Sequence, residues 1–222
     1  MEITKEGELN TEKHAYTKPI RVFANLMGYL LHPVLVVSWV SLYLLFLNKQ
    51  VFLGIDSSER IVVFLRIFST STFLPLITVL LLKGLGFVSS VKLETQKERI
   101  IPLVACITFF FWSFYVSRQL NDPAPLRAFL LALFLSSSAA LMLNIYQKTS
   151  LHMIAAGVAS AFFTLLLFNN FLNEPASIIS VFILAGISGS SRLITMSHQT
   201  NEIWLGFFTG VFIQYIAWLI IF

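Results

Sequence analysis

The chain has 222 residues, of which 57% are hydrophobic and 12% are charged, and its formal net charge is +4. Soluble domains carry about 25% charged residues, so this composition excludes an ordinary soluble domain and indicates an integral membrane protein. The positive charge forms no basic stripe with interleaved aromatic residues, which argues against a nucleic-acid partner.

The chain begins with a polar stretch and continues as a series of apolar ones. Residues 1–18 predict a polar N-terminal tail, which lacks the short apolar core and cleavage site of a signal peptide. Residues 19–222 predict a single transmembrane helical domain. Its apolar stretches are each near the roughly 20 residues that cross a bilayer. They lie at 22–48, 60–84, 100–117, 126–146, 150–170, 176–190 and 202–222.

These stretches predict the fold class: an all-α polytopic membrane helix bundle with seven spans, or six if the third is re-entrant. The first stretch contains His32 and Pro33. Proline lacks the backbone N–H of a helix interior, so we expect a kink or the true helix start there. His32 then either lines a cavity or lies near the interface beside the kink, and the sequence leaves both open.

The distribution of Lys and Arg predicts the orientation of the bundle. Because spans alternate in direction, the tail and the loops at 85–99, 146–150 and 191–201 share one side. That side carries ten Lys and Arg residues, and the other carries four. The positive-inside rule favours a cytoplasmic location for the first side. If Lys92, Arg99 and Arg192 serve chemistry instead of topology, the count falls to seven against four.

Three segments on this common side hold residues that are unusual beside a membrane span, because ionisable groups there are costly unless they are paired or face water. They are residues 92–102, 149–152 and 191–210. The first contains Lys92, six residues and Arg99. The second reads Thr-Ser-Leu-His and ends at His152. The third contains Ser191-Arg192, then His198 six residues after the arginine, then Glu202, Gly206 and Gly210.

The pattern resembles the type 2 phosphatidic acid phosphatase superfamily of membrane lipid phosphatases. The motifs of that family read Lys-x6-Arg-Pro, Pro-Ser-Gly-His and Ser-Arg-x5-His-x3-Asp, and the match runs from about residue 92 to 210. This chain departs from them in four ways. Pro102 is displaced by two residues, Thr149 replaces proline, Leu151 replaces glycine and Glu202 replaces aspartate.

The resemblance implies a core similar to that of the family and a role for each matching residue. His198 would attack phosphorus to form a phosphohistidine, and Glu202, one helical turn later, would orient its ring. His152 would protonate the leaving oxygen and then activate water. The phosphate-binding residues would be Lys92, Arg99, Ser150 and Arg192. Neither a metal nor a cofactor is expected.

The expected function is therefore metal-independent hydrolysis of a lipid phosphate monoester or an isoprenyl pyrophosphate. Phosphatidic acid and phosphatidylglycerol phosphate are candidate substrates. The alternative is a catalytically degenerate member that binds, senses or transports phospholipid, because Leu151 and Glu202 depart from the motifs. A vanadium-dependent haloperoxidase uses similar motifs, but the apolar spans argue against it. The expected location is a bacterial inner (cytoplasmic) membrane.

Two glycines in the last span predict a close helix contact. Gly206 and Gly210 form the GxxxG pattern, in which small residues let two helix backbones approach each other. The partner helix is either a neighbouring span of the same chain or the same helix in a homodimer. The sequence leaves both alternatives open.

Overall fold

The computed structural model describes residues 16–48, 50–90, 93 and 95–222, which form helices and no strand. Most of the predicted tail and Lys92 lie outside the described residues. The helices are α1 (Lys18–Leu30), α2 (Pro33–Leu42), α3 (Ser57–Phe68), α4 (Leu74–Gly84), α5 (Gln96–Gln119), α6 (Ala124–Tyr146), α7 (Leu151–Phe168), α8 (Pro175–Ile194) and α9 (Thr200–Ile221). Short π-helical segments follow α2 at Tyr43–Leu47 and join α3 to α4 at Ser69–Phe73.

The predicted all-α membrane architecture is confirmed at this level. Among the described residues, six helical segments are long and apolar enough to cross a membrane. They are Ser57–Gly84 and the helices α5 to α9. The third predicted span is thus one continuous helix of 24 residues. The ambiguity between six and seven spans lies in the first predicted span instead.

The first predicted span is broken at His32. Helix α1 ends at Leu30, α2 begins at Pro33, and the two are bent by 64°. The break follows from Pro33, which fits the first position of a helix but not an interior one. The His32 ring caps the new helix, since its Nδ1 accepts a hydrogen bond of 3.4 Å from the Val34 N–H. The bundle has seven spans if this bent pair counts as one.

Two of the helix boundaries that differ from the prediction move a motif arginine into a helix. Helix α5 begins at Gln96 instead of near residue 100, because Thr95 and Glu98 form a capping box. Arg99 therefore lies in the first turn of α5. Helix α8 continues to Ile194 instead of ending near residue 190, so Arg192 lies in its last turn.

Glycine contacts hold α7 against α9, and these two helices begin at the same end of the bundle. A Cβ atom on Gly210 would lie 2.1 Å from the carbonyl oxygen of Ile154, and one on Gly157 would lie 2.1 Å from that of Phe207. A Cβ on Gly206 would lie 2.7 Å from the Ser150 carbonyl oxygen. The predicted packing of the glycines against a neighbouring span is therefore present within the chain.

The large apolar core lies toward the opposite end of the bundle. It includes the aromatic rings of Phe129, Phe162 and Trp218, with the Phe129 and Phe162 centroids 5.0 Å apart. These residues lie near the start of α6, in the second half of α7 and near the end of α9. The end where α7 and α9 begin is held instead by glycine contacts and by hydrogen bonds between polar groups.

We predict that Gly210→Ala destabilises the protein, because the new methyl group must push α7 and α9 apart. Overpacking of this kind costs about 1–3 kcal/mol. Thermal unfolding of the detergent-solubilised protein measures the effect. Gly186→Ala is the matched control, since nothing lies within 4 Å of a Cβ built at that helical glycine. Equal melting temperatures for the two variants would contradict the assigned contact.

Candidate functional site

A tight turn after α8 delivers His198 to the start of α9. The Ser197 N–H donates to the Arg192 carbonyl at 3.0 Å, and the Met196 N–H donates to the Leu193 carbonyl at 2.9 Å. This is the Schellman arrangement that ends many helices, and Met196 takes its left-handed position with φ 53°. The turn reverses the chain within a few residues, so His198 lies directly before α9.

The ring of His198 meets the carboxylate of Glu202. Their Nδ1 and Oε2 atoms are 2.6 Å apart, and the His198 side chain is only 5% exposed. A carboxylate accepts hydrogen bonds, so Nδ1 carries the proton and Nε2 keeps its lone pair in the neutral ring. Glu202 also accepts the Gln199 N–H at 3.3 Å, which caps α9. The contact expected one helical turn apart is present, and it involves Nδ1, so Nε2 is the ring nitrogen left with the lone pair.

Burial lowers the pKa of His198 from its usual 6.5 to about 4. The hydrogen bond to Glu202 opposes this shift, whereas the nearby cations Arg99 and Lys148 add to it. His198 is therefore neutral at pH 7. A neutral imidazole is the form that can attack an electrophile.

Hydrogen bonds tie the three motif segments to one another. Arg99 donates from Nε to the Leu93 carbonyl at 3.0 Å and from Nη1 to the Thr149 carbonyl at 2.9 Å. The Ser150 N–H lies 3.4 Å from the Glu202 carbonyl oxygen. The first segment is thereby joined to the second, and the second to the third. Two of the N–H groups of Arg99 bind loop carbonyls, so this arginine has a structural role here.

A second group of polar side chains surrounds His152 in the first turn of α7. Its Nε2 lies 3.0 Å from the Gly28 carbonyl oxygen of α1, and its ring meets that of His32 edge to face at 5.4 Å. The Arg192 guanidinium packs on Gly28, where a Cβ atom would lie 1.8 Å from Nη2. Arg192 is within electrostatic range of both histidines, and His152 is within range of His198. The two groups are therefore parts of one cluster.

Ser150 and Leu151 occupy different surroundings. Ser150 is fully buried, and no residue in the described part of the chain hydrogen-bonds its hydroxyl. Leu151 packs against the small apolar cluster of Leu103, Ala140 and Ile154. Leu151 thus has a packing role in the bundle.

The structure brings six of the seven predicted site residues to one end of the bundle, and the seventh, Lys92, lies outside the described residues. The six are Arg99, Ser150, His152, Arg192, His198 and Glu202. The predictions did not include Gly28 or Lys148, whose Nζ lies 3.4 Å from the Ser197 carbonyl oxygen. Lys148 could have been predicted, because it directly precedes the second motif. Nothing in the sequence indicates that Gly28 lies at the site.

The described residues contain no group of three or more His, Cys, Asp or Glu side chains placed to hold a metal ion. The cluster is instead rich in cations around a histidine–carboxylate pair. Comparison with known proteins adds no assignment: no family model, curated protein or solved structure matches the chain.

Proposed function

We propose that this protein is a membrane lipid phosphatase that forms a phosphohistidine on His198. The observation that carries the proposal is the bond between His198 Nδ1 and Glu202 Oε2, in a cluster that also holds Arg99, Arg192 and His152. A neutral histidine with a free Nε2 lone pair supplies a nucleophile. The surrounding cations suit the two negative charges of a phosphate monoester.

The first step transfers the phosphoryl group from the lipid to the protein. The Nε2 lone pair of His198 attacks phosphorus and forms the P–N bond, while the P–O bond to the lipid alcohol breaks. His152 takes up a proton when the anionic phosphate binds beside it and gives that proton to the leaving oxygen. Glu202 stabilises the positive charge that develops on the His198 ring. Arg192, with its planar fork of N–H donors, binds the phosphate oxygens.

The second step returns the protein to its starting state. His152 takes a proton from water, whose oxygen attacks phosphorus as the P–N bond breaks, and inorganic phosphate leaves. We assign Ser150 and the first amides of α7 to binding the phosphate oxygens, because the N-terminus of a helix favours anions. In the structure the Nε2–H of His152 donates to the Gly28 carbonyl, so this hydrogen bond must break before the same N–H can face the leaving oxygen.

We propose that the protein lies in a bacterial inner membrane with the cluster on the cytoplasmic side. The side is inferred from the loops there, which carry most of the Lys and Arg residues. Lipid phosphates then reach the site from the same leaflet. The oligomeric state stays a prediction, and Gly206 and Gly210 are already covered by α7 within the chain.

One observation favours the second candidate function, a phospholipid-binding protein without turnover. Arg99 donates two hydrogen bonds to backbone carbonyls, and His152 donates one to the Gly28 carbonyl. These N–H groups are therefore already bonded within the protein and do not face a phosphate. The variants Leu151→Gly and Glu202→Asp restore the family's residues. If the parent and both variants are inert on a broad lipid panel while phospholipid still binds, the second function holds.

We predict that His198→Ala lowers phosphate release from the best substrate of a lipid phosphate panel by about 10³-fold or more, because the attacking group is lost. Release from the purified protein in mixed micelles, across a panel of lipid phosphates, is the measurement. His14→Ala, in the predicted tail, is the matched control and keeps full activity. Unchanged turnover in His198→Ala would refute the mechanism.

We predict that Glu202→Gln lowers kcat by about 10²–10⁴-fold, because the amide keeps the size of the side chain but not its charge. Glu59→Gln is the control, since Glu59 lies in the first turn of another helix and is exposed. If Glu202 only caps α9, both variants keep wild-type kcat and differ in stability alone.

We predict that the His198 ring titrates near pH 4, well below the usual 6.5, because burial disfavours its cation. The folded state binds this proton less readily than the unfolded state. The group therefore lowers stability progressively as the pH falls from about 6.5 toward 4. NMR of the ring protons, assigned with His198→Asn, measures the titration. A midpoint near 6.5 would show that the ring is solvated.

A further inference from the structure

A cavity of about 680 Å³ lies between α1, α2, α7 and α8, and His152 lines one end of it. Its volume is within the range of roughly 300–1,000 Å³ typical of ligand pockets. Most of its lining side chains are apolar. Trp39 and Leu184, which also line it, are 52% and 43% exposed, so the cavity opens sideways through the lipid-facing surface of the bundle.

The cavity is long and follows the helix axes. On α7 the lining residues run from His152 to Phe163, and on the antiparallel α8 they run from Ser188 back to Ser177. On each helix the first and last of these residues are eleven positions apart, which corresponds to roughly 16 Å along the helix axis. An extended chain advances roughly 1.2 Å per bond, so this length holds about 13 carbon atoms.

Tyr43 lines the far end of the cavity. Its hydroxyl lies 2.9 Å from the Ser177 Oγ, and its ring centroid lies 4.8 Å from that of Phe163. Tyr43 begins the π-helical segment after α2, so its side chain reaches from that wall to both α7 and α8. A straight apolar chain that entered at His152 would run toward the Tyr43 ring.

The near end of the cavity is polar and cationic. His152 lines it, and Arg192 lies within electrostatic range of that ring. Ser188 also lines it, is 3% exposed, and has no hydrogen-bond partner for its hydroxyl among the described residues. An anionic group at this end, with one apolar tail below it, complements both the charge and the shape.

We propose that this cavity holds the tail of a single-chain or isoprenyl-like lipid phosphate, and that Tyr43 sets the longest tail it accepts, at about 13 carbons. The inference rests on the proposed function for the identity of the head group. The length limit depends only on the cavity. A tail beyond the limit must bend or leave sideways, which lowers its occupancy relative to shorter tails.

The test uses n-alkylphosphonates, whose carbon–phosphorus bond resists hydrolysis, so binding is read without turnover. An equimolar mixture of chain lengths from about 8 to 18 carbons is incubated with the detergent-solubilised full chain. Native mass spectrometry then gives the bound distribution. We expect occupancy to peak near 13 carbons and to fall several-fold by the longest chain.

Variants at Tyr43 separate the length limit from general lipid adhesion. Tyr43→Ala, or Tyr43→Leu if the first does not fold, should shift the maximum to longer chains by about two carbons or more. Tyr43→Phe keeps the ring and should keep the limit. Tyr115→Ala, a change at an exposed tyrosine of α5, is the matched control and should leave the distribution unchanged.

The outcomes distinguish this inference from the proposed function. A flat distribution, no bound phosphonate, or the same maximum in wild type and Tyr43→Ala would overturn the length limit. Phosphate release is measured separately with wild type and the matching alkyl phosphates. Length-selective binding without release would support the cavity assignment and refute the phosphatase. Phosphate release without length-selective binding would support the phosphatase and overturn the length limit.

Discussion

The close contact between α7 and α9 is the constraint on which the candidate site depends. Gly157 and Gly210 bring the two helix backbones together, so a methyl group on either would overlap a carbonyl oxygen. The helices begin at the same end, which places Ser150 beside Glu202. In a membrane, where apolar burial does not drive helices together, such packing and interhelical hydrogen bonds supply much of the association energy. The distance between the two histidine motifs therefore follows from small residues outside both of them.

Burial gives the cluster its chemical character. His198 is shielded from water, and this burial together with the nearby cations keeps its ring neutral although it donates a hydrogen bond to the Glu202 carboxylate. The same burial strengthens every charge interaction inside the site, because the local dielectric is low. Helix α1 contributes through Gly28, whose carbonyl bonds His152 and whose missing side chain leaves room for Arg192. Under the proposed function, a substrate phosphate would have to compete with these internal contacts, and the position of α1 would then affect both binding and release.

Local patterns predicted much of this arrangement, whereas long-range contacts escaped prediction. Hydropathy was sufficient for the helical spans, and the four-residue spacing of His198 and Glu202 was sufficient for their contact. The capping box at Thr95 could have placed Arg99 in a helix, but the polarity of the segment favoured a loop. Gly28 lies 124 residues before His152, and no pattern in one sequence links such positions. The phosphatase assignment itself stays a proposal that rests on motif resemblance and on this geometry.

The most direct test of the account is a structure of the full chain with orthovanadate, which adopts the five-coordinate geometry of a phosphoryl group in transfer. The account predicts vanadium at covalent distance from His198 Nε2, with Arg192 on its oxygens and the His198–Glu202 bond intact. It also predicts that the His152 ring leaves the Gly28 carbonyl to face the apical oxygen. Vanadate bound away from His198, or a His198 ring directed elsewhere while vanadate occupies the cluster, would contradict a phosphohistidine mechanism.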